Sequence, residues 1–562
     1  MKIKTIIVSC LIATTSINAQ NHEWTKSFGG TLNDNGNSII VDFSGNVYTT
    51  GFFEGTVDFN PNEGTENLTS AGDFDVFVQK IDASGNFIWA KAFGGNLRDT
   101  GSSISVDVSG NVYVIGTFEG TADFDPGVEI ANLTSAGNED IFVMKMDASG
   151  NFLWAKAFGG TENDNGNCII ADSSGNIYTT GFFRGVVDFD PGQGTASFTS
   201  ESGSSDIFVQ KMDASGNFLW AKAFGGGFAD HGNSIILDNA GNVYTLGYFQ
   251  GTADFDPGTE VNNLTSAGSE DVFVQKMNDS GNFIWAKSFG GTSDDYGSSI
   301  TMDSSGNIFC TGHFSGNVDF DPGSGTAILT SNGLTDIFVQ KLDTSGNFIW
   351  AKSLGSTNVD TARDIIADQS ENIYTTGTFF GTVDFDPGPA TAELTSVGSY
   401  DIFVQKLDTS GNFIWAVAFG GASTDNGKSL SIDGSGRLFT TGSFQDTVDF
   451  DPNSGTTYIT SIGSHDIFVQ NLSQETAGIF EFGNGIQVLT YPNPSKDLVH
   501  VLFRQPIKNV NLTLTDVQGK LIYTKHLNAA TSTQINIPGP AGIYFLNIKT
   551  PNAQSVVKLI KE

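Results

Sequence analysis

All seven tryptophans of the chain fall in one series: Trp24, Trp89, Trp154, Trp220, Trp285, Trp350 and Trp415, at steps of 65 or 66 residues. A fixed period of this length restricts the chain to repeat architectures, in which one supersecondary unit is stacked on copies of itself. The words around each tryptophan recur too. Asn86-Phe87-Ile88-Trp89-Ala90-Lys91-Ala92-Phe93-Gly94-Gly95 has close copies along most of the sequence.

Read from Trp89, one unit holds four apolar pieces. They are Asn86 to Phe93, Ser103 to Asp107, Val112 to Gly116 with a continuation toward Phe124, and Asp140 to Lys145. Each is short, rich in β-branched and aromatic residues, and bounded by Gly, Asn, Asp or Ser, so each reads as a strand. Two connections are nearly identical, Asp107-Val108-Ser109-Gly110-Asn111 and Asp147-Ala148-Ser149-Gly150-Asn151. Aspartate opens such a turn by accepting from nearby backbone N–H groups, and glycine supplies the positive φ. Four antiparallel strands per period make one propeller blade. The 68 glycines and 12% aromatic content suit a β-rich chain with many tight turns.

These words (Phe-Gly-Gly, Ser-Gly-Asn-Val-Tyr, Thr-Gly, Asp-Ile-Phe-Val-Gln-Lys, Ser-Gly-Asn-Phe-Ile-Trp) resemble the SBBP type of β-propeller repeat, from Trp24 to Asn471. The unit is longer than repeats of about 40–50 residues. Its excess lies between the third and fourth strands, as in Gly120 to Asp140.

The series opens on a tryptophan strand and ends on Asp466-Ile467-Phe468-Val469-Gln470-Asn471, with no tryptophan after it. If the Ser38-type strand is innermost and the tryptophan strand outermost, the last blade lacks its outer strand and Trp24 lacks a blade. The offset predicts that the Trp24 strand completes the last blade and so protects two exposed edges. The expected fold is all-β. A seven-bladed β-propeller, closed between its N- and C-terminal strands, occupies residues 20–472.

Met1-Lys2-Ile3-Lys4, an apolar run to Thr14 and Ile17-Asn18-Ala19 have the layout of a secretory signal peptide over 1–19, cut after Ala19. The run is too short to span a bilayer. Residues 473–485 read as a polar linker. Short alternating strands fill 486–562 and predict a small Ig-like β-sandwich. Its punctuation is Tyr491-Pro492-Asn493-Pro494, Asp516-Val517-Gln518-Gly519-Lys520, Ala541-Gly542-Ile543-Tyr544 and Lys558-Leu559-Ile560-Lys561. Together these resemble the type A C-terminal sorting domain of the type IX secretion system. The resemblance implies that machinery as a partner. It implies passage through the periplasm of a Gram-negative bacterium, then release or anchoring at the cell surface.

The net charge of -35, from 27 Lys+Arg against 62 Asp+Glu, argues against a nucleic-acid partner, whose phosphates need basic side chains. Cys10, Cys168 and Cys310 imply no disulfide framework. The six histidines show no metal-ligand spacing, and no catalytic motif stands out. The aspartates of the Ser-Gly-Asn turns read as turn caps; the series of Asp34, Asp99, Asp164, Asp230, Asp295, Asp360 and Asp425 reads as local turn bonding, with ligand binding as the alternative. The arm motif Asp123-Phe124-Asp125-Pro126-Gly127 recurs at Asp188 and Asp190, Asp254 and Asp256, Asp319 and Asp321, and Asp384 and Asp386. It resembles the start of a calcium loop but lacks the distal Glu, so a rigid Pro turn capped by aspartate is the first reading and a Ca²⁺ site at these pairs the alternative.

Strand alternation places both Ser-Gly-Asn-type turns on one face of the ring. The Asp34-type loops and the arms are expected on the other. The most varied position follows the glycine of the third strand: Phe52, Thr117, Phe182, Tyr248, His313, Thr378 and Ser443. A constant frame with varied side chains at one rim is how loops on a rigid scaffold acquire specificity. The expected function is a secreted or surface propeller without catalysis, binding an extracellular glycan, protein or matrix. The alternatives are a polysaccharide-acting enzyme with its site at the propeller mouth and a purely structural component of the surface layer.

Overall fold

The computed structural model describes residues 20–453, 455–474, 481–483, 486–491, 498–551 and 554–561. The expected leader, most of the linker and the motif residues Pro492, Asn493 and Pro494 lie outside the described residues. Apart from one 3-10 turn at Glu201–Gly203, all regular structure among the described residues is β.

The repeats form seven groups of four antiparallel strands, some of them joined edge to edge into larger sheets. In the first blade the inner strand Asn35–Val41 pairs with Val47–Asp58, that with Asn67–Ile81, and that with the tryptophan strand Phe87–Gly95. The last blade takes its outer strand from the start of the chain: Gln20–Phe28 pairs with Tyr458–Gln474. The closure expected from the tryptophan offset is therefore formed.

Apolar side chains on both faces of each blade meet the neighbouring blade. Tyr48, Val76 and Val78 of the first blade pack with Ile104, Val114, Phe118 and Phe142 of the second. Phe439, Ile467 and Val469 of the last pack with Ile39, Val47 and Phe77 of the first. A fully buried side chain of this size contributes about 1.5–3 kcal/mol. The inner strands are also tied by a belt of serines. Ser38 Oγ accepts from Ile104 N, Ser103 Oγ from Ile169 N and Ser429 Oγ from Ile39 N, each at 3.3 Å. The sixth blade breaks the pattern with Asp364, which accepts from Leu430 N at 2.8 Å.

The tryptophans sit at the junctions between blades. Trp89 Nε1 donates to Ala148 O, in the Asp-Ala-Ser-Gly-Asn turn of the next blade, at 3.3 Å. A Cβ on Gly150 of that turn would meet the Trp89 ring at 3.0 Å. Glycine is thus required there twice, for its φ of +79° and for the indole that covers it.

The C-terminal unit is a separate body. Its six strands form one sheet, in the order Glu481–Gly483, Ile486–Tyr491, Leu498–Asp516, Gly542–Lys549 and Gln554–Lys561, with Leu521–Asn536 also on Leu498–Asp516. Val499, Val501, Leu512, Leu514, Leu546 and Leu559 form its core. Of the motif residues, Gly519 holds a φ of +78° in the Asp516 turn, and Tyr544 Oη donates to Pro540 O at 2.8 Å. Gly542 opens one strand, and Lys558 lies in the last.

Candidate functional site

The turn aspartates do what their spacing predicts. Asp107 Oδ1 accepts from Ser109 N and Asn111 N, and Oδ2 from Asn111 Nδ2 and Tyr113 Oη. Burial raises this carboxyl, but those bonds outweigh it and hold it below the usual range.

The arms depart from expectation. Gly55, at φ +75°, stands opposite Ser70 to Asp73 where the register shifts, and the hairpin bends sharply. The arm then doubles back along the blade. Gln79 Nε2, in the middle of the third strand, donates to Phe59 O at 2.6 Å. Phe87 N, just past the Ser-Gly-Asn turn, donates to Asn62 Oδ1 at 2.8 Å. In the fourth blade Asp256, Gly258 and Glu260 line one cleft with Gly281, Asn282 and Lys222. The arms therefore run toward the Ser-Gly-Asn face instead of sharing the Asp34 rim.

Their aspartates cap local backbone. Asp123 Oδ1 accepts from Asp125 N at 3.1 Å and Ala131 N at 2.8 Å, and Asp125 Oδ1 from Gly127 N at 2.8 Å. The bonds at Asp188 and Asp190, Asp254 and Asp256, Asp319 and Asp321, and Asp384 and Asp386 are equivalent. Among the described residues no group of three or more His, Cys, Asp or Glu could hold a metal ion.

Two other aspartate series meet inside the fold. Asp99 is fully buried; its Oδ2 accepts from Gly95 N at 2.6 Å and its Oδ1 from Glu119 N at 3.3 Å. Asp75, 3% exposed, accepts from Ala71 N through Oδ2, while its Oδ1 is buried with no hydrogen-bond partner. A Cβ on Gly94 would lie 2.8 Å from both Asp75 Oδ1 and Asp99 Oδ2, so the glycine makes room for two carboxyls. Burial and, second to the Gly95 N–H bond that opposes it, the charge of Asp75 push Asp99 up to about 7. The pairing recurs at Asp140/Asp164, Asp206/Asp230, Asp271/Asp295, Asp336/Asp360, Asp401/Asp425 and Asp466/Asp34.

The varied positions stand at the Asp34 rim, each paired across to the first or second residue of an inner strand. The pairs are Asn35/Phe52, Thr100/Thr117, Asn165/Phe182, His231/Tyr248, Tyr296/His313, Thr361/Thr378 and Asn426/Ser443. They are not equivalent. Thr117, Thr378 and Ser443 are buried, and the two threonines bond Thr100 and Thr361. Phe52 packs on Phe74 with ring centroids 4.6 Å apart.

From the third to the fifth blade the half-buried rings form a continuous arc. Phe182 stacks on His231 at 3.9 Å, His231 lies 4.9 Å from Tyr248, Tyr248 4.7 Å from Tyr296, and Tyr296 5.0 Å from His313. His231 Nδ1 meets the Tyr248 hydroxyl and Nε2 meets Ser205 Oγ at 2.9 Å. Burial, with the charge of Arg184, holds His231 near 4, and burial raises the Tyr248 hydroxyl above its ordinary value. Both rings are neutral at pH 7. Tyr248 and His313 stood out in the sequence as members of the varied series. Tyr296 did not, and aligning the first residue of each inner strand is the signal that finds it.

Comparison with known proteins adds two family matches. A family model described as a beta-propeller repeat, SBBP, matches residues 23–51 and 284–319, and one described as a secretion system C-terminal sorting domain matches 489–562. Among curated proteins, an uncharacterised WD repeat-containing protein of Acanthamoeba polyphaga mimivirus is 24% identical over 507 residues, 75% of this chain and 36% of its own length. The regulatory protein FlaEY of Caulobacter vibrioides is 25% identical over 222 residues, 38% of this chain and 22% of its own. The chain thus spans about a third or less of these relatives. Among solved structures, a gluconolactonase from Xanthomonas campestris aligns at 11% identity and a TM-score of 0.28, over 65% of this chain and 90% of its own. A surface component of the type IX secretion system of Porphyromonas gingivalis aligns at 12% and 0.15, over 96% and 100%.

Proposed function

We propose that this chain, a β-propeller of SBBP repeats exported through a type IX sorting domain, is a non-catalytic binding module for an extracellular glycan. The sorting domain directs it to the cell surface or extracellular space of a Gram-negative bacterium. The observation that carries the binding reading is the aromatic arc from Phe182 to His313, five half-buried rings at one rim of a rigid ring. Aromatic faces present large, stiff area that stacks on sugar rings at little entropic cost.

One observation favours an enzyme instead. The Tyr248–His231 contact occurs in a single blade, and such asymmetry is what a catalytic site needs. Its protonation state weighs against that reading. A general base works with a pKa near the working pH, whereas His231 is held near 4 and Tyr248 is raised.

Binding and product release measured together on a polysaccharide panel separate the two readings. Tyr248→Ala is expected to weaken a bound glycan by roughly tenfold, the loss of about 50 Å² of buried apolar contact at about 25 cal/mol per Å², and to leave the fold intact. Soluble oligosaccharide products, lost in Tyr248→Phe, would overturn the non-catalytic reading. A calcium titration addresses the arms: their carboxylates already accept backbone N–H bonds, so millimolar calcium is expected to leave the melting temperature unchanged. A calcium-dependent rise that disappears in Asp254→Asn/Asp256→Asn would restore the arms as cation sites.

A further inference from the structure

Every inner strand carries a β-bulge at the same place. The register shifts between Gly36 and Ser38, Gly101 and Ser103, Gly166 and Cys168, Gly232 and Ser234, Gly297 and Ser299, Ala362 and Asp364, and Gly427 and Ser429. A bulge leaves one residue unpaired and re-aims its side chain. Here the bulges stand on the innermost strands, and the residues they release circle the axis of the ring. Where that residue is Asn it closes on the next blade: Asn37 Nδ2 donates to Gly101 O, Asn167 to Gly232 O and Asn233 to Gly297 O, at 2.8–2.9 Å.

Five of the seven bulge residues are neutral: Asn37, Ser102, Asn167, Asn233 and Ser298. The other two are Arg363 and Lys428, on adjacent blades. Arg363 reaches solvent and Lys428 is half-buried, and desolvation by the surrounding protein lowers both their pKa values. No ion pair among the described residues includes either one. They raise each other's cost instead: next to burial, the Arg363 charge lowers Lys428 to about 8, and it acts on His313, the last ring of the arc, in the same way. The two cations stand at a position that five other repeats fill with Asn or Ser, and the carboxylate beside them, Asp364, is taken up by Ser299, Ser429 and Leu430 N. Like charges held together in a confined space are unfavourable until an anion joins them.

We propose that Arg363 and Lys428 form an anion-binding subsite at the channel mouth, next to the aromatic arc, and that it takes the carboxylate or sulfate of an acidic polysaccharide. This rests on the glycan-binding reading and names its ligand class. The arc stacks on the sugar rings, the guanidinium pairs with the acid group in a planar fork, and the ammonium supplies a second charge-assisted bond. The overall negative charge repels polyanions elsewhere on the molecule, so recognition depends on this one sector.

The test uses the intact secreted chain and the double variant Arg363→Ser/Lys428→Asn, which installs residues that other blades already carry at this position. Polygalacturonate and chondroitin sulfate serve as acidic probes, with neutral galactan as control. The expected result is a loss of roughly tenfold or more in affinity for an acidic probe, with galactan binding unchanged. Equal affinity of both proteins for the acidic probes overturns the proposal. Sulfate, compared with chloride at equal ionic strength, gives a readout that needs no glycan. It should raise the melting temperature of the parent protein more than that of the variant, and an equal rise in both overturns the subsite. Sulfate protection that requires both residues, with no glycan of any kind bound, would keep the anion site and overturn its assignment to carbohydrate.

Discussion

The propeller is expected to melt at a higher temperature at pH 5.5 than at pH 8, contrary to the usual behaviour of carboxylate-stabilised proteins. The cause is the seven buried aspartate pairs. Burial first, then the partner's charge where one is felt, lifts Asp75, Asp140, Asp271 and Asp466 to about 6 and Asp99, Asp206, Asp230, Asp295 and Asp401 to about 7. In the unfolded chain these groups titrate near 3.8. Between about pH 4 and 7 the native state therefore binds more protons, and stability falls as pH rises through that window. His231 and His313, both held near 4 by burial and a neighbouring arginine, work in the opposite direction below pH 6.5. The histidines are outnumbered by the seven pairs, so stability keeps rising as pH falls to about 4. Below pH 4 the hydrogen-bonded turn aspartates, such as Asp107, begin to lose their contribution.

A single substitution isolates the effect. Asp75→Asn can keep its oxygen on Ala71 N and place an amide N–H where the unpartnered Oδ1 now faces Asp99. With chelator present it should stabilise by about 1–3 kcal/mol at pH 8 and do nothing at pH 5. Destabilisation at pH 8 in chelator would mean that the pair is not under charge stress. Destabilisation only in calcium would mean that a cation bridges it.

Much of this architecture is legible in the chain because repetition multiplies each local signal. One Asp-x-Ser-Gly-Asn segment is a weak hint of a turn; its recurrence at two places in nearly every unit, on strands of constant length, leaves few alternatives. The closure is legible from an asymmetry, a tryptophan strand too many at one end and one too few at the other. The fold of the arm is not. Its length shows in the spacing from Gly120 to Asp140, but its direction depends on the bulge that sets Glu54 and Thr56 against Phe74 and Thr69. Local residue types do not say toward which face such a bend turns.

The carboxyl pairs are hidden for a related reason. Asp75 lies within the strand Asn67–Ile81 and Asp99 opens the strand Asp99–Val106 of the next blade, and in the sequence each series taken alone looks like a turn or strand-end aspartate. What joins them is Gly94, whose missing Cβ leaves the space both carboxyls fill. The Phe-Gly-Gly word was visible, but its packing role was not. At the rim, size decided which of the varied positions stay toward solvent. Thr117, Thr378 and Ser443 sink into the wall, whereas Phe182, Tyr248 and His313 stay half-buried.

Deleting the closing strand Gln20–Phe28 is expected to cost about 5 kcal/mol or more and to make the protein self-associate. The strand supplies the outer edge of the last blade, whose third strand carries the buried Ile467, Phe468 and Val469. Its Phe28, 3% exposed, packs 5.7 Å from Phe59 and 6.3 Å from Phe77, and Trp24 Nε1 donates to Ala83 O in the first blade. Losing one such phenylalanine costs about 3–5 kcal/mol, before the ladder it leaves unpaired. An open edge of this length pairs readily with another copy, so size-exclusion chromatography should show oligomers that a peptide spanning Gln20 to Phe28 dissolves. Phe158 provides the control. It occupies the same place in a blade whose outer strand is continuous with the rest, also 3% exposed, with Phe189 at 5.6 Å and Phe208 at 6.0 Å. Phe28→Ala and Phe158→Ala should lose similar stability. Only Phe28→Ala should let a strand detach without unfolding its blade, because only there is the outer strand held by contacts alone. Hydrogen exchange that quickens along Tyr458–Gln474 in Phe28→Ala, with no matching change along Asn132–Met146 in Phe158→Ala, is the expected signature; equal exchange in both would mean that the seam is no weaker than any other junction.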